Sequence, residues 1–189
     1  MADRDAAARA IDAFLRAIGR DPDVEPNLRG TGARVADAYI GELCDGYDVD
    51  LGALLASNAV DGATAIVVAR DVSVTTTCPH HLLPAFGRAT VAFAPKGKLV
   101  GVGALVKLVD ACAHRLVLQE EIGELVATSL VTHVGARWAA CRLLMEHGCM
   151  IARGERRHGA RVESVAIAGD ADAATRAEIE RALGLGGAT

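Results

Sequence analysis

Near the N-terminus, apolar side chains recur at the three- and four-residue spacing of an amphipathic helix. The repeat comprises Ala7, Ile11, Phe14, Leu15 and Ile18. This pattern predicts a helix over residues 3–19. Thr31 stands where it can cap a second helix, which we expect to run to about Cys44. Together these elements predict an N-terminal helical segment over residues 1–60.

Over residues 63–77 the side chains are β-branched and roughly alternating, as in a β-strand. The pattern predicts strands over residues 63–77, 86–94, 136–146 and 162–168, and helices over residues 104–113, 119–132 and 172–183. This order is typical of a two-layer α+β fold, an antiparallel sheet with helices on one side. We therefore expect residues 61–189 to form a single compact domain.

The amino-acid composition argues against some classes of binding partner. The 189 residues are 51% hydrophobic but only 3% aromatic, so the core must be built mainly from Ala, Val, Leu and Ile. The net charge of −4 argues against a general binder of nucleic acid or of membrane surfaces. No apolar run approaches the roughly 18 residues of a membrane-spanning helix. We expect neither nucleic acid nor membrane as a partner.

The N-terminus and the cysteines indicate a cytoplasmic protein. Acidic residues follow Met1, where a signal peptide needs basic and then apolar residues. The chain has five cysteines, an odd number without the spacing of a disulfide framework. Such a set fits a reducing compartment. We expect Cys44, Cys112 and Cys141 to be small core residues.

The most informative stretch is Cys78-Pro79-His80-His81. Cys78 and His81 have the C-x-x-H spacing that lets a short turn aim two ligands at one zinc ion, and Cys149 can supply a third. Three protein ligands and a water are typical of a catalytic zinc site. His80 and His147 would then be available to move protons near the metal. The alternative is a buried cysteine in a turn that happens to carry two histidines.

Three separated blocks of the sequence resemble GTP cyclohydrolase I. They are Cys78-Pro79-His80-His81-Leu82-Leu83-Pro84, then Arg115 with Gln119-Glu120, then His147-Gly148-Cys149-Met150 with Arg153-Gly154. The blocks occur in that family's order and at close to its spacing. The resemblance implies the tunnelling fold for the catalytic domain, in which sheets of several subunits join edge to edge. It also implies a homo-oligomeric ring, a decamer in the family, with active sites between subunits.

The resemblance also implies the chemistry. In the resembled enzymes a zinc ion, here held by Cys78, His81 and Cys149, activates water for attack at C8 of guanine, and formate is released. His80 and His147 would carry protons during ring opening. The sequence leaves open whether the metal is zinc or iron.

Gln119 and Glu120 match the residues that bind the purine base in the resembled family. A buried carboxylate can accept two N–H groups from the edge of a guanine-like ring, so such a site selects sharply. The alternative for Glu120 is a solvated acid at the start of a helix.

The phosphate-binding positions depart from the family pattern. The five positions that are basic in the family hold Arg34, Asp37, Ala104, Lys107 and Arg153. One basic residue is therefore replaced by alanine and another by an acid, Asp37, which we expect to repel an anion. Arg34, Lys107 and Arg153 remain as candidate substrate-binding residues. The serine that contacts the ribose in the family falls on Gly103.

These observations predict a zinc-dependent cyclohydrolase that opens the imidazole ring of a purine without a triphosphate. Candidate substrates are a base, a nucleoside, or an 8-oxopurine such as urate or 8-oxoguanine. A second hypothesis is an authentic GTP cyclohydrolase I that makes dihydroneopterin triphosphate and formate from GTP. A third, of another class, is a non-catalytic zinc-stabilised ring that binds a purine. Zinc binding alone would not require His80 and His147, which argues against the third.

Overall fold

The computed structural model describes residues 2–62, 65–154 and 156–185. The contacts divide the chain into two compact units, Met1–Asp45 and Gly46–Thr189. This division falls earlier than the boundary after residue 60 that the sequence analysis placed. The assignment of residues 1–60 and 61–189 as domains stays a prediction, because compactness does not show which part folds independently.

Two helices form most of the first unit. Helix α1 spans Arg4–Ala17, and the side chain of Asp3 caps it by accepting a hydrogen bond from an N–H of the first turn at 2.9 Å. The predicted helix over residues 3–19 is confirmed. Helix α2 spans Thr31–Ala38 and continues as a π-helical segment, Tyr39–Leu43. The second helix therefore changes geometry before its predicted end.

Thr31 does not cap α2, contrary to the sequence prediction. The N-cap is Gly30, whose φ of 69° lies in the left-handed region and which offers no side-chain acceptor. Thr31 is the first helical residue, and its Oγ1 accepts a hydrogen bond from the guanidinium of Arg34 at 3.0 Å. Arg34 also donates to Arg29 O at 2.8 Å. These local bonds occupy the hydroxyl that the predicted cap needed.

The second unit contains six strands and five helices among the described residues. The strands are β1 (Ala59–Asp61), β2 (Val67–Thr77), β3 (Pro84–Ala94), β4 (Lys98–Val100), β5 (Trp138–His147) and β6 (Val162–Gly169). The helices are α3 (Leu51–Ala56), α4 (Val102–Ala113), α5 (Gln119–Ser129), α6 (Gly148–Ile151) and α7 (Ala173–Leu183). Four strands form an antiparallel sheet in the order β2-β3-β5-β6, and β1 pairs with β4.

The main core lies between one face of the sheet and helices α4 and α5. Leu105 and Leu108 of α4 and Ile122 of α5 are buried in one cluster with Val91 of β3 and Leu143 of β5. Each such side chain contributes roughly 1.5–3 kcal/mol when it leaves water. Alternate residues of β3 and β5, large and small, supply this face.

Helix α7 covers one end of the opposite face of the sheet. Ile179 and Leu183 of α7 form a second buried cluster with Trp138. The indole Nε1 of Trp138 donates to Glu178 Oε2 at 3.1 Å. The predicted α+β class is confirmed, but helices lie on both faces of the sheet rather than on one.

The four long strands were predicted within a few residues, although residues 63 and 64 of the first one lie outside the described residues. The short elements α3, β1, β4 and α6 were missed because three to six residues are too few to show a period. Helix α5 ends at Ser129, and the predicted remainder is a π-helical segment that closes at Gly135. Over the described ranges, no helix has the length and apolar character to cross a membrane.

Candidate active site

A tight turn after β2 carries two of the predicted metal ligands. Cys78 N donates to Leu83 O, and Leu82 N donates to Cys78 O, each at 2.9 Å. Leu82 has a φ of 52°, in the left-handed region that branched side chains rarely adopt. Strain of this kind, of order 1–3 kcal/mol, persists only where the surrounding structure enforces it. The enforced turn brings the side chains of Cys78 and His81 together.

The third predicted ligand reaches this turn because a glycine precedes it. Strand β5 ends at His147, and Gly148 lies against the start of β3. A Cβ atom at position 148 would lie 2.6 Å from Pro84 O, closer than real contacts allow. Glycine therefore permits an approach of two backbones that places Cys149 beside Cys78.

Cys78, His81 and Cys149 form a convergent group of ligand atoms. These atoms all lie within 4.8 Å of one another, and Cys78 Sγ lies 3.7 Å from His81 Nδ1. Zinc bonds of about 2.3 Å to sulfur and about 2.1 Å to nitrogen, in tetrahedral geometry, separate neighbouring ligand atoms by roughly 3.6–3.8 Å. The separation of Cys78 and His81 thus fits zinc, and the structure brings Cys149, the third predicted ligand, within 4.8 Å of both.

The electrostatics of this group also fit a cation. Burial raises the pKa of the Cys149 thiol and the neighbouring Cys78 sulfur raises it further, while the positive charge of Arg153 opposes part of the shift. Two thiolates this close repel each other unless a positive ion lies between them.

Arg153 lies at the edge of the ligand group. Its Nη1 is 3.1 Å from His81 Nε2. A guanidinium can only donate, so Nε2 is the acceptor in this contact. A metal bound at Nδ1 requires the imidazole proton on Nε2, whereas the contact with Arg153 requires Nε2 without a proton. Metal binding and the Arg153 contact therefore favour different tautomers of His81. Metal binding would free Arg153 for another acceptor.

A cleft of about 220 Å³ joins the ligand group to some of the other predicted residues, but its lining does not include Arg34, Lys107 or Arg153. Its lining includes Cys78, His80, Gln119, Glu120, His147 and Cys149. A larger hollow of about 680 Å³ lies elsewhere on the sheet, beside Phe86 and Arg88, and its described lining has no histidine or cysteine. The smaller cleft therefore carries the candidate chemistry.

Both ends of the Gln119 side-chain amide make hydrogen bonds to other residues of the protein. It is 4% exposed, and its Nε2 lies 3.3 Å from Leu143 O, 3.1 Å from Val162 O and 3.0 Å from Ser164 Oγ. Its Oε1 lies 2.8 Å from His147 Nε2. The side-chain amide is therefore occupied by protein partners, and the role of Gln119 in binding the base stays a prediction. The sequence contains no signal for a contact that depends on strands β5 and β6 lying side by side.

His147 and Glu120 are electrostatically linked. Burial lowers the pKa of His147 from its usual value, and the negative charge of Glu120 offsets part of that shift. The neutral imidazole is therefore the main form at neutral pH. A side chain that can transfer protons and a carboxylate that can accept N–H groups thus line the same cleft.

The family model of GTP cyclohydrolase I matches residues 7–183, nearly the whole chain. The chain belongs to the GTP cyclohydrolase I family. It is 36% identical over 189 residues to the GTP cyclohydrolase 1 of Leifsonia xyli subsp. xyli (strain CTCB07), with 98% of both chains covered. It is 40% identical over 184 residues to the GTP cyclohydrolase 1 of Chromobacterium violaceum, covering 95% of this chain and 88% of that one.

Among solved structures, the apo form of the archaeosine synthase QueF-Like is similar, with a TM-score of 0.48 and 18% identity. The match covers 59% of this chain and 100% of that chain. Membership of the GTP cyclohydrolase I family, rather than this distant likeness, identifies the class of enzyme: hydrolases that act on a cyclic C–N bond.

Two of the altered positions of the GTP cyclohydrolase I pattern lie on α4. Ala104 is 4% exposed and brings no polar group, whereas Lys107 on the same helix is exposed. A Cβ atom on Gly103 would meet no described atom within 4 Å. Gly103 therefore leaves open space where the GTP cyclohydrolase I family has a serine.

Asp37 is not an isolated negative charge. Its two carboxylate oxygens are held by Arg4, whose Nη2 lies 2.7 Å from Oδ2 and whose Nε contacts Oδ1. The hydrogen bond from Arg4 lowers the pKa of Asp37. This pair compensates the charge reversal read from the sequence, so the structure does not support a strong repulsion of anions by Asp37.

Arg115, part of the motif shared with the GTP cyclohydrolase I family, has a structural role. Its guanidinium donates to Ala111 O and to Gly46 O at 2.9 Å each and lies 5.5 Å from the ring centre of Tyr47. The hydroxyl of Tyr47 accepts a hydrogen bond from Leu116 N at 3.2 Å. These contacts hold the segment that leads into α5. Sequence reasoning missed Tyr47 because its partners lie far along the chain and no local pattern marks it.

Proposed function

We propose that this protein is a zinc-dependent hydrolase that opens the imidazole ring of a purine carrying few or no phosphates. The observation that carries the proposal is that Cys78 and Cys149, which converge with His81, line one cleft together with His147 and Glu120. A metal bound only for stability needs its ligands alone. The additional proton-transfer and carboxylate groups therefore favour catalysis, and membership of the family supports this reaction class.

Cys78, His81 and Cys149 are the residues that would hold the metal. A bound Zn²⁺ supplies Lewis-acid activation of water at neutral pH. The two sulfur ligands are half-buried and His81 is exposed, so the group lies at the surface of the protein, where water and substrate can reach it.

The remaining cleft residues would bind the base and move protons. Glu120 can accept two N–H groups from the edge of a guanine-like base. Hydrolysis consumes one water, breaks the bond between C8 and a ring nitrogen, and requires a proton on that nitrogen. His80 and His147 are the side chains proposed to transfer it. His80 is exposed whereas His147 is half-buried, so His80 can exchange protons directly with solvent.

The expectation of few phosphates rests on positions 37 and 104. Asp37 and Ala104 each replace a basic residue of the family pattern. Contacts to charged groups contribute roughly 1.5–3 kcal/mol each, so two lost contacts lower the affinity for a triphosphate by about 10²–10⁴. The Arg4–Asp37 pair removes an added repulsion but restores no contact. Arg34, Lys107 and Arg153 are the residues proposed to bind whatever anionic group the substrate carries.

An authentic GTP cyclohydrolase I is the second candidate. The 36–40% identity to enzymes of that name, over most of their length, favours it. Gly103 argues against it, because the resemblance ties the missing serine hydroxyl to the rearrangement that closes the pterin ring. We therefore propose a ring-opened product. A non-catalytic ring that binds a purine would leave His80 and His147 without a role.

We also propose that the protein assembles as a homo-oligomeric ring, a decamer as the resemblance implies. Strands β2 and β6 are the outer strands of the four-stranded sheet. Outer strands present backbone groups that a neighbouring strand can pair. A cytoplasmic location stays a prediction.

The proposal is tested by incubating the zinc-loaded protein with a panel of purines and reading the products by mass spectrometry. The panel comprises GTP, guanosine, guanine, urate and 8-oxoguanine. We expect a ring-opened product from a member without phosphates, with the mass of one added water. If C8 is also released, it leaves as formate from guanine or guanosine and as carbon dioxide from urate or 8-oxoguanine. A fully zinc-loaded protein that changes no purine would instead identify a binding protein.

A further inference from the structure

We propose that Gln119 is a positioning residue that fixes the tautomer of His147 and so makes Nδ1 the proton-accepting nitrogen of that ring. The use of His147 in the reaction rests on the proposed function, but the tautomer itself does not. The inference replaces the predicted contact of Gln119 with the base by a role that acts through a second side chain.

The orientation of the Gln119 amide follows from its partners. The nitrogen and oxygen of an amide are assigned from their hydrogen bonds, because their positions alone do not distinguish them. One end of this amide faces Leu143 O at 3.3 Å, Val162 O at 3.1 Å and Ser164 Oγ at 3.0 Å. Two of these three partners are backbone carbonyl oxygens, which only accept. That end must therefore be the NH₂ group, and the amide oxygen must face His147.

The tautomer of His147 follows from the same arrangement. The amide oxygen of Gln119 lies 2.8 Å from His147 Nε2. A carbonyl oxygen can only accept, so Nε2 must carry the proton in this bond. A neutral imidazole has one N–H group, so Nδ1 then holds the lone pair. A group that takes a proton in the first step would do so at Nδ1.

The surroundings make this orientation rigid. Gln119 is the first residue of α5 and is 4% exposed. Its acceptors lie on β5 and at β6, where Leu143 is paired with Ser164. A 180° rotation of the amide would place its oxygen next to two carbonyl oxygens and its N–H groups next to His147. The pairing of two strands therefore determines which nitrogen of His147 is protonated.

The direct test is a ¹⁵N spectrum of the histidine rings in the zinc-loaded protein, recorded by solid-state NMR. His147 is assigned as the signal that disappears in His147→Ala. We expect neutral His147 to carry its proton on Nε2. A wild-type spectrum with the proton on Nδ1 would overturn the inference, whatever the variants do. In Gln119→Met, which keeps the side-chain length without the amide, we expect a mixture of both tautomers. Glu124→Gln, which alters an exposed residue of the same helix, should give the same spectrum as the wild type.

A kinetic cycle separates positioning from base binding. With guanosine, 8-oxoguanine and GTP as probes, Gln119→Met should lower kcat by about 10–100-fold and change KM by less than about 2-fold, since acid–base catalysis is worth about 10²–10⁴-fold. In a His147→Ala background the same change should have no further effect. An equal loss in that background, or a rise in KM with kcat intact, would show that Gln119 acts on the base. If none of the three purines reacts, the proposed function fails and the spectrum alone decides the tautomer.

Discussion

The Nδ1 atom of His81 lies 3.7 Å from the Sγ atom of Cys78, the separation expected for two neighbouring ligands of a tetrahedral zinc ion. Cys149 completes the group from a segment that is far away in the sequence. The candidate metal centre therefore depends on two turns, one after β2 and one after β5, that meet only in the folded chain.

Removing the third ligand should remove the metal. Cys149→Ser leaves two strong ligands, which hold zinc poorly, so we expect purified protein with little zinc and no turnover. Elemental analysis of the purified variant measures this. Cys44→Ser, a change outside the ligand group, should keep a full complement of zinc. A Cys149→Ser protein with one zinc per chain would show that the ligand assignment is wrong.

The two cleft histidines should affect the rate but not the metal. His80→Ala and His147→Ala should each keep zinc and lose about 10²–10⁴-fold in kcat, the usual contribution of general acid–base catalysis. Parallel metal analysis and steady-state kinetics on the same preparations check this. Loss of metal from His80→Ala would make His80 a ligand, and an unchanged kcat would remove it from the catalytic groups.

Glu120 should control binding of the base. Glu120→Gln removes a charged acceptor, so we expect substrate binding to weaken by roughly 1–3 kcal/mol, which is about 5–150-fold in KM. Glu124→Gln is the matched control, because Glu124 is exposed on α5 like Glu120 but does not line the cleft, and it should behave as wild type. Normal kinetic constants for Glu120→Gln would exclude it from base recognition.

Arg115 should contribute to stability rather than to chemistry. Arg115→Met leaves the carbonyl oxygens of Ala111 and Gly46 without this donor, so we expect a loss of roughly 1.5–3 kcal/mol in the free energy of unfolding. Tyr47→Phe removes only the hydroxyl that binds Leu116 N and should lose about 0.5–1.5 kcal/mol. Urea denaturation followed by circular dichroism gives both values. An Arg115→Met protein with wild-type stability and a raised KM would place Arg115 at the substrate instead.

The elements that the sequence predicted well are those with many periodic positions. Strands β2, β3, β5 and β6 have eight to eleven residues each, enough for alternation to be visible. The convergence of the candidate ligands was also predictable, because zinc chemistry restricts both residue type and spacing, and Cys78 and His81 lie in one turn.

The contacts that sequence reasoning missed join distant residues of ordinary type. Arg4 and Asp37 are 33 residues apart, and their pairing turned an inferred repulsion into a compensated charge. Gln119 and His147 are 28 residues apart, and their bond depends on where α5 begins relative to β5 and β6. No composition or periodicity encodes such pairings, because many acids, bases and amides could satisfy the same local pattern.

The comparison of kcat/KM for GTP with kcat/KM for guanosine and 8-oxoguanine tests the central claim most directly. All substrates are tested on one zinc-loaded preparation. Formate, ring-opened product and pterin fluorescence are measured in the same reactions. We expect a purine without phosphates to be the better substrate and a ring-opened product to accumulate without a fluorescent pterin. Efficient conversion of GTP to dihydroneopterin triphosphate would contradict it and would identify an authentic GTP cyclohydrolase I.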